Sequence, residues 1–409
     1  MDLKKLKSLV EETAKGFEYE LFLLRRKKLS VSTENGKLDR LTTAGDYGLG
    51  LRLLKDQRMG FAYASDLSPE GVKRLVSELA EITLHLPPDP ANRLKETLEE
   101  ATAPSPYDAD GVSKPLEEKV ELVTTFERSL TEADPRVVGT RETTFTETVY
   151  EVSFLNSYGV EFSYSGTSYF LVTGALAESP KGDRNIAWSY RGARYLSDLN
   201  LEKLKEELLF KLLETLDPEP FRTRSLPVVF FREAAAALLE TFADLFLGSS
   251  AVKKKTPLLG KEGRKVASEL ITLVDDGTLD GGLATHPYDD EGTPQQRTVL
   301  IERGTFKGFL HSLYTAARSG AAPTGNGFRN SFSSPPEVSV SNFYLLPGED
   351  SLEDLLRREG EVLLVTDLMG LHTADAVSGD FSFGASGVLY RGGKKVQAVR
   401  GVTVAGNFL

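Results

Sequence analysis

The sequence predicts an α+β protein with two domains. The chain has 409 residues, which is more than one hydrophobic core usually organises. Its first half alternates amphipathic helical segments with period-two segments, and the run Asp217-Pro-Glu-Pro220 then breaks the pattern. The remainder is rich in strand patterns and glycine turns. We therefore predict an N-terminal α+β domain at residues 1–216 and a β-rich C-terminal domain around one central helix at 217–409.

The N-terminal domain is predicted to be an internal duplication, with one copy at residues 1–86 and the other at 114–216. Each copy predicts a helix, a series of antiparallel strands and a second helix. In the first copy, Asn35-Gly36 predicts a hairpin turn because both residues tolerate positive φ. Residues 87–113, rich in Pro and Asp, predict a linker between the copies. The alternative to a duplication is that the two segments are similar only because any α+β domain built of antiparallel hairpins shows some similarity between its parts.

The C-terminal domain is predicted to contain one strong helix at residues 232–247 and a short helix at 351–358. Period-two alternation predicts a strand on each side of Arg391-Gly-Gly-Lys394, which is a hairpin turn sequence. Gly384-Ala-Ser-Gly387 lies within the first of these strands and is therefore not a serine nucleophile elbow.

The composition excludes several classes of function. A net charge of −11 argues against direct binding of nucleic acid, which needs clustered Lys and Arg. The chain has no cysteine, so disulfides, thiol nucleophiles and thiolate metal sites are excluded. It has no apolar run long enough to cross a bilayer, and its N-terminus lacks the apolar core of a signal peptide. We therefore expect a cytoplasmic protein without a membrane partner.

Residues 227–240 are the first candidate for chemistry. They read as a short apolar strand that runs into a helix, and Arg232, Glu233 and Ala237 lie where a zinc peptidase would carry His-Glu-x-x-x-His. A guanidinium has no lone pair to offer a metal, and alanine has no donor atom. Glu233 alone keeps the position of a general base. Without further context, Arg232-Glu233 is an ordinary helix start with an acidic residue in its first turn.

The second candidate is an acidic region that includes Asp275-Asp276. A divalent ion could bind there through His286, Asp289, Asp290 and Glu291. The same aspartates are good turn residues, because their side chains bond to their own backbone, and we favour turns. The glycine-rich residues 323–330 either present backbone N–H groups to a peptide-like ligand or form a plain surface loop.

The sequence resembles the TldD/PmbA (TldE) family over nearly its whole length. The motifs that carry the resemblance are Asn35-Gly-Lys-Leu, residues 270–277, Tyr288-Asp-Asp-Glu-Gly-Thr-Pro294, Pro323-Thr-Gly-Asn-Gly327, Asn342-Phe-Tyr-Leu-Leu-Pro-Gly348, Gly379-Asp-Phe-Ser-Phe-Gly-Ala-Ser-Gly387 and Gly401-Val-Thr-Val-Ala-Gly-Asn407. The ending Gly-Ala-Ser-Gly and the run Ala-Gly-Asn407 look like the PmbA side of the family.

The resemblance implies a role in peptide processing. One kind of subunit in this family carries His-Glu-x-x-x-His and is a zinc-dependent peptidase, and the PmbA-like kind lacks the motif and pairs with it. The ligand positions fall here on Arg232 and Ala237, and the base falls on Glu233. Some catalytic members also use a cysteine in the region that is residues 367–372 here, where His372 lies near the third ligand position.

The resemblance therefore implies a chain with no catalytic residue, a degenerate site at Arg232, Glu233 and Ala237, and zinc only in a TldD-type partner. It also implies a peptide substrate for the complex, and we expect a homodimer when the chain is alone. Two alternatives stay open. The chain could be a peptidase or hydrolase in its own right through other residues. It could also regulate a DNA-associated target indirectly, as a modulator of DNA gyrase.

Overall fold

The computed structural model describes residues 3–104, 106–358 and 360–409. Helices and antiparallel strands follow each other along the first half of the chain, as predicted, and the α+β class is confirmed. The elements of this half are α1 (Leu3–Thr13), β1 (Glu18–Glu34), β2 (Lys37–Lys55), β3 (Arg58–Ala64), α2 (Pro69–His85), α3 (Ala109–Ser113), α4 (Leu116–Ala133), β4 (Val137–Asn156), β5 (Glu161–Glu178), β6 (Arg184–Ala193) and α5 (Leu201–Glu214).

All six strands of this half form one sheet in the order β3-β2-β1-β4-β5-β6. The strand order is symmetric about the interface between β1 and β4. On each side of this interface lie three strands that follow one another along the chain, β1 to β3 on one side and β4 to β6 on the other. Helices α1 and α2 flank the first three strands in sequence, and α4 and α5 flank the other three. The antiparallel β1–β4 pairing, from Glu20↔Asn156 to Thr33↔Thr143, joins the two sides. The domain boundaries themselves stay a prediction.

The strands are longer than the sequence patterns predict. β1 runs unbroken through the basic residues 25–28, although the alternating segments 17–25 and 28–34 predict two separate strands there. The prediction failed because the alternation of apolar side chains stops there, although the backbone ladder to β2 continues. The turn at Asn35-Gly36 is confirmed, with φ of 51° and 72°. Residues 87–113 contain the helix α3 at their end.

The two faces of the sheet bury different parts of the molecule. Leu21 and Leu23 of β1 pack in a cluster with residues of α1 and α2. Phe22 and Leu24 point to the other face and pack with Phe332 of the C-terminal half. Gly48 of β2 makes this approach possible, since a Cβ there would lie 2.3 Å from the Phe332 ring. This face of the sheet therefore packs against the C-terminal half of the chain.

The C-terminal half is rich in short strands. Strands β14, β15 and β16 form a four-stranded sheet with β7 in the order β16-β15-β14-β7, and a second sheet has the order β10-β9-β8-β13. The elements are β7 (Val228–Phe230), α6 (Arg232–Thr241), α7 (Gly248–Val252), β8 (Leu273–Asp276), β9 (Arg297–Glu302), β10 (Thr305–Phe306), α8 (Leu313–Ser319), β11 (Gly327–Phe328), β12 (Glu337–Val338), β13 (Phe343–Leu345), α9 (Leu352–Arg358), β14 (Glu361–Met369), β15 (Asp380–Arg391) and β16 (Lys394–Asn407).

The predicted helix at 232–247 is wrong at its end. The α-helix stops at Thr241, and residues 243–246 form a 3₁₀ turn that buries Phe242 and Phe246 in the core. Helices α7 and α8 were not predicted, because they are too short to show a helical period. The hairpin at 391–394 is confirmed by the pairing Arg391↔Lys394. None of the helices in the described ranges is both long and apolar enough to cross a bilayer.

Candidate functional site

The start of α6 is fixed by the strand that precedes it. Strand β7 pairs in parallel with β14, from Val228↔Leu363 to Phe230↔Val365. The amide of Phe231 then donates to the carbonyl of Val365 at 2.8 Å, immediately before the helix begins. The only fully buried side chain of α6, Ala234, packs against Val365 and neighbouring β-sheet residues. The first turn of α6 is therefore held against the middle of β14.

Glu233, the residue in the general-base position, is bonded through both carboxylate oxygens. Its Oε1 accepts a hydrogen bond from the Ser189 hydroxyl of β6, and its Oε2 lies 2.8 Å from the Lys211 ammonium of α5. Lys211 Nζ also lies 2.7 Å from Asp367 Oδ1 and donates to the Trp188 carbonyl at 2.6 Å. The Lys211 side chain is only 2% exposed. A buried ammonium thus occupies the centre of the site; we call Lys211, Glu233 and Asp367 the α6 cluster.

The charge on Lys211 is stabilised by its partners. Burial by itself lowers the pKa of Lys211, but the carboxylates of Asp367 and Glu233 outweigh burial, and the net pKa is raised. The ammonium therefore stays protonated. One Glu233 oxygen faces this cation and the other faces a hydroxyl donor, so both oxygens of the retained carboxylate already have a protein partner.

Asp367 reaches Lys211 from an irregular point of β14. The register of β14 against β15 shifts between Val365 and Asp367, and such a bulge turns a side chain away from its regular direction. Gly387 of β15 lies opposite Val365, and a Cβ there would be 2.0 Å from the Leu364 carbonyl oxygen. The last glycine of the Gly-Ala-Ser-Gly motif therefore permits the close strand contact at the bulge.

The residues in the two ligand positions are not directed at a common point. Arg232 is 56% exposed on its side chain and forms an ion pair with Glu207 of α5, which also accepts from Arg191 at 2.9 Å. Ala237 contributes only its backbone carbonyl, which accepts from the Thr241 hydroxyl at 2.7 Å. His372 lies exposed in the 3₁₀ turn at 371–373.

These side chains do not fit a zinc ion. A zinc site needs three or four neutral imidazoles, thiolates or carboxylates with free lone pairs. Here the two carboxylates of the α6 cluster are held by Lys211, and Arg232 brings a second positive charge. Within residues 3–104, 106–358 and 360–409, no group of three or more His, Asp or Glu side chains is arranged to hold a metal ion.

In the acidic region at 286–291, the side chains that could bind a divalent ion contact other groups of the protein. Asp289 accepts from the amides of Glu291 and Thr293 at 3.0 and 2.8 Å, as a turn aspartate does. Its other oxygen accepts from the amide of Gly327 at 2.9 Å, and Asp290 accepts from the amide of Arg329 at 2.7 Å. Two N–H groups of the glycine-rich loop, those of Gly327 and Arg329, therefore bind these carboxylates.

Glu291 and His286 are also held by protein groups. Glu291 lies 3.0 Å from the Arg52 guanidinium and accepts from the Leu313 amide at 2.8 Å. His286 Nε2 lies 2.9 Å from the Tyr150 hydroxyl. Burial lowers the pKa of His286 to about 3 and raises the pKa of Asp290 to about 6. Each of the four side chains thus has a protein partner, and together these contacts hold the loops to one another and to the sheet.

Lys211 and Glu207 belong to the site but were not predicted from the sequence. A signal for them exists in α5, where both lie on the buried stripe with Leu204, Leu208 and Leu212. Charged side chains are rarely buried unless they are paired, so two of them on an apolar stripe indicate buried partners. Asp367 was named only as the start of the segment 367–372. Its contact with Lys211 depends on the bulge, which no local pattern predicts.

Comparison with known protein families supports the motif evidence. Three family models match consecutive parts of the chain: PmbA/TldA metallopeptidase domain 1 at residues 19–83, the central domain at 110–216 and the C-terminal domain at 223–409. The chain belongs to the PmbA/TldD family. The family membership predicted from the motifs is confirmed.

Relatives of both kinds in the family match this chain. The metalloprotease PmbA of Escherichia coli O157:H7 is 29% identical over 384 residues, which covers 93% of this chain and 82% of the relative. The metalloprotease TldD homologue of Buchnera aphidicola is 26% identical over 377 residues, covering 89% and 77%. The PmbA/TldD family thus includes chains of either name with similar length and sequence.

Solved structures share the whole fold. A crystal structure described as a putative modulator of a DNA gyrase, from Thermotoga maritima, has a TM-score of 0.89 at 26% identity and covers 100% of this chain and 92% of its own. The crystal structure of TldE from Thermococcus kodakarensis has a TM-score of 0.87 at 26% identity, with 99% and 91% covered. The arrangement of both halves described above is therefore that of the family.

Proposed function

We propose that this chain is the non-catalytic, PmbA/TldE-like subunit of a peptidase whose zinc is bound by a TldD-type paralogue. One observation carries the proposal: the Lys211 ammonium binds Glu233, the single residue of the metallopeptidase motif that is retained. The chain supplies neither metal ligands nor a free general base at α6. Zinc and catalysis would then belong to the partner, and peptides are the substrate of the complex.

The sequence relatives support the proposed partnership. PmbA-named and TldD-named chains both match this chain over most of its length, so the two kinds of subunit share one architecture. Related chains with one fold commonly assemble around a two-fold or pseudo-two-fold axis. We accordingly propose a hetero-oligomer with the paralogue and a homodimer when the paralogue is missing. The cytoplasmic location stays a prediction.

The test is co-expression with a His-Glu-x-x-x-His paralogue from the same genome. We expect the two chains to co-purify, and the complex to cleave an unstructured peptide faster than either chain alone. The matched controls are Glu233→Gln in this chain and the corresponding substitution in the paralogue's motif. The first should leave cleavage by the complex unchanged, and the second should abolish it.

Two outcomes would contradict the proposal. The paralogue could purify alone at full activity without forming a complex, which would remove the partnership. Alternatively, cleavage could persist when the paralogue's glutamate is replaced and disappear with Glu233→Gln, which would make this chain the catalyst. Light scattering of the isolated chain tests the homodimer, which should give way to the mixed complex when the paralogue is added.

An indirect effect on DNA gyrase is a second candidate function. The observation that favours it is the description of the Thermotoga maritima structure as a putative modulator of a DNA gyrase. A net charge of −11 opposes direct binding of DNA. We propose that any such effect passes through cleavage of a protein by the complex. A supercoiling assay with gyrase and this chain alone should show no change.

A further inference from the structure

We infer that Lys211 is a built-in cation that keeps divalent metal ions out of the site at α6. This inference rests on the proposed function, in which the chain carries no zinc of its own. The inference is that two causes exclude the metal. The two histidine ligands are missing, and the Lys211 ammonium occupies the site.

The contacts of Lys211 account for all three of its hydrogens. An ammonium has three donors, and Nζ has three oxygen neighbours: Glu233 Oε2 at 2.8 Å, Asp367 Oδ1 at 2.7 Å and the Trp188 carbonyl at 2.6 Å. These oxygens come from α6, β14 and β6, so three separate elements meet at one positive charge. An arrangement of oxygens around a central cation is what a metal would otherwise require.

The position of Lys211 is fixed by α5. The residue lies on the buried stripe of that helix, next to Leu208 and Leu212, and has almost no solvent-exposed surface. The ammonium therefore has no solvent into which it could move to make room for another cation. A charge that leaves its partners here would have to be buried without compensation, which is strongly unfavourable.

The Lys211 ammonium opposes the binding of a second cation at the same carboxylate oxygens. Metal binding requires deprotonated ligands with free lone pairs, and the carboxylates of Glu233 and Asp367 already neutralise Lys211. A divalent ion bound to Glu233 or to side chains beside it would lie close to the Lys211 ammonium. Like charges repel strongly at short range inside a protein. Restoring the missing histidines alone should therefore not restore a metal site.

The experiment compares zinc binding by variants of the full-length chain. Arg232→His with Ala237→His rebuilds His-Glu-x-x-x-His and keeps Lys211, and a triple variant adds Lys211→Met. We expect the triple variant to bind Zn²⁺ at least about tenfold more tightly than the double variant. Zinc content after dialysis and the visible absorption of bound Co²⁺, which reports tetrahedral coordination, are the readouts. Arg191 still pairs with Glu207 when Arg232 is replaced.

A matched control uses another buried lysine, which pairs with a carboxylate away from α6. Lys119 is 5% exposed on its side chain and lies 2.7 Å from Glu147. Adding Lys119→Met to the double variant should leave zinc binding at the level of the double variant. Lys211→Met without the two histidines should bind no zinc, because binding needs the histidine ligands as well as removal of the ammonium.

Thermal unfolding checks that each variant is folded. If Lys211→Met prevents folding, Asp367→Asn is added to it, so that one fewer negative charge is left without a partner. Equal zinc affinity in the double and triple variants would overturn the inference. So would the absence of zinc binding in a folded triple variant, because charge would then not be what excludes the metal. Neither result depends on the paralogue, whose failure to associate would contradict only the proposed function.

Discussion

Two clusters of charged side chains connect the N-terminal sheet to the C-terminal half, and they differ in their numbers of positive and negative charges. The α6 cluster places one cation, Lys211, between two carboxylates, and Asp367 is 37% exposed. The second, which we call the sheet cluster, consists of Glu20 and Arg52 from the sheet with Glu291 and Arg329 from C-terminal loops. In the sheet cluster two guanidinium groups face two carboxylates, and the Arg329 and Glu20 side chains are both 0% exposed.

The difference separates a cluster that is fully enclosed between the two halves from one that lies at the start of α6, where the metallopeptidase motif falls. Arg329 lies 2.6 Å from Glu20 and stacks over the rings of Phe22 and Phe61 at 4.9 and 5.6 Å. In this enclosed network, replacing any one charged side chain should strongly destabilise the fold, because an opposite charge would stay buried with one ion pair fewer. In the α6 cluster, Asp367 is partly exposed, so water can compensate its charge when Lys211 is replaced, although the Lys211 ammonium itself is buried.

The largest effect is expected for Arg52→Met in the sheet cluster. Arg52 pairs with Glu20 and lies 3.0 Å from Glu291, so its removal leaves the buried Glu291 without its ionic partner and leaves Glu20 with Arg329 alone. We expect the free energy of unfolding to fall by about 3–5 kcal/mol. Urea denaturation measures it. Arg25→Met is the matched control, because the Arg25–Glu151 pair is more than half exposed and should contribute less than about 1 kcal/mol. Similar losses in both variants would remove the distinction.

Lys211→Met should have a smaller effect than Arg52→Met. Glu233 loses an ionic partner, but it keeps the Ser189 hydroxyl, and Asp367 can turn to solvent. We expect a loss of about 2–3 kcal/mol. Adding Asp367→Asn should recover part of the loss, and a double-mutant cycle gives the coupling energy between the two residues. A coupling energy of zero would mean that Asp367 does not help to hold the ammonium.

A pH dependence is expected where the acidic loop meets the sheet. Burial raises the pKa of Asp290 to about 6, above its unfolded value. The stability that this shift contributes is fully present below pH of about 4 and is lost as the pH rises through 6. Compared with Asp290→Asn, the wild type should therefore lose about 2 kcal/mol between pH 4 and pH 7. Denaturation curves at several pH values measure the difference, and a gain for the wild type over this range would reverse the sign.

The smallest effect is expected for Arg232→Ala. The Arg232 side chain is mostly exposed, and Glu207 keeps Arg191 as its partner at 2.9 Å. We expect a change of less than about 1 kcal/mol in stability. Thermal unfolding measures it, with Arg191→Ala, at the less exposed partner, as the comparison that should cost more. A large loss for Arg232→Ala alone would show that this arginine stabilises the start of α6.

Local sequence signals predicted much of the fold but not the contents of the site. The Asn35-Gly36 turn and the 391–394 hairpin follow from residues that tolerate positive φ, and both are confirmed. Helix α6 was predicted from its strand-to-helix pattern, although its end was not, since the change to a 3₁₀ turn depends on burying Phe242 and Phe246. The basic stretch of β1 was misread because ladder bonds do not depend on side-chain alternation.

The sequence by itself determined the α+β class, the family and the loss of the two metal ligands, because each depends on residue types at fixed spacing. Only the tertiary structure decided what replaces them. Lys211 and Asp367 are 156 positions apart in the numbering and meet because α5 and the bulge of β14 bring them to the same carboxylate. Their attraction acts through space over less than 3 Å, and no pattern along the chain records that distance. The retained glutamate at α6 is therefore part of an ion pair network in this chain.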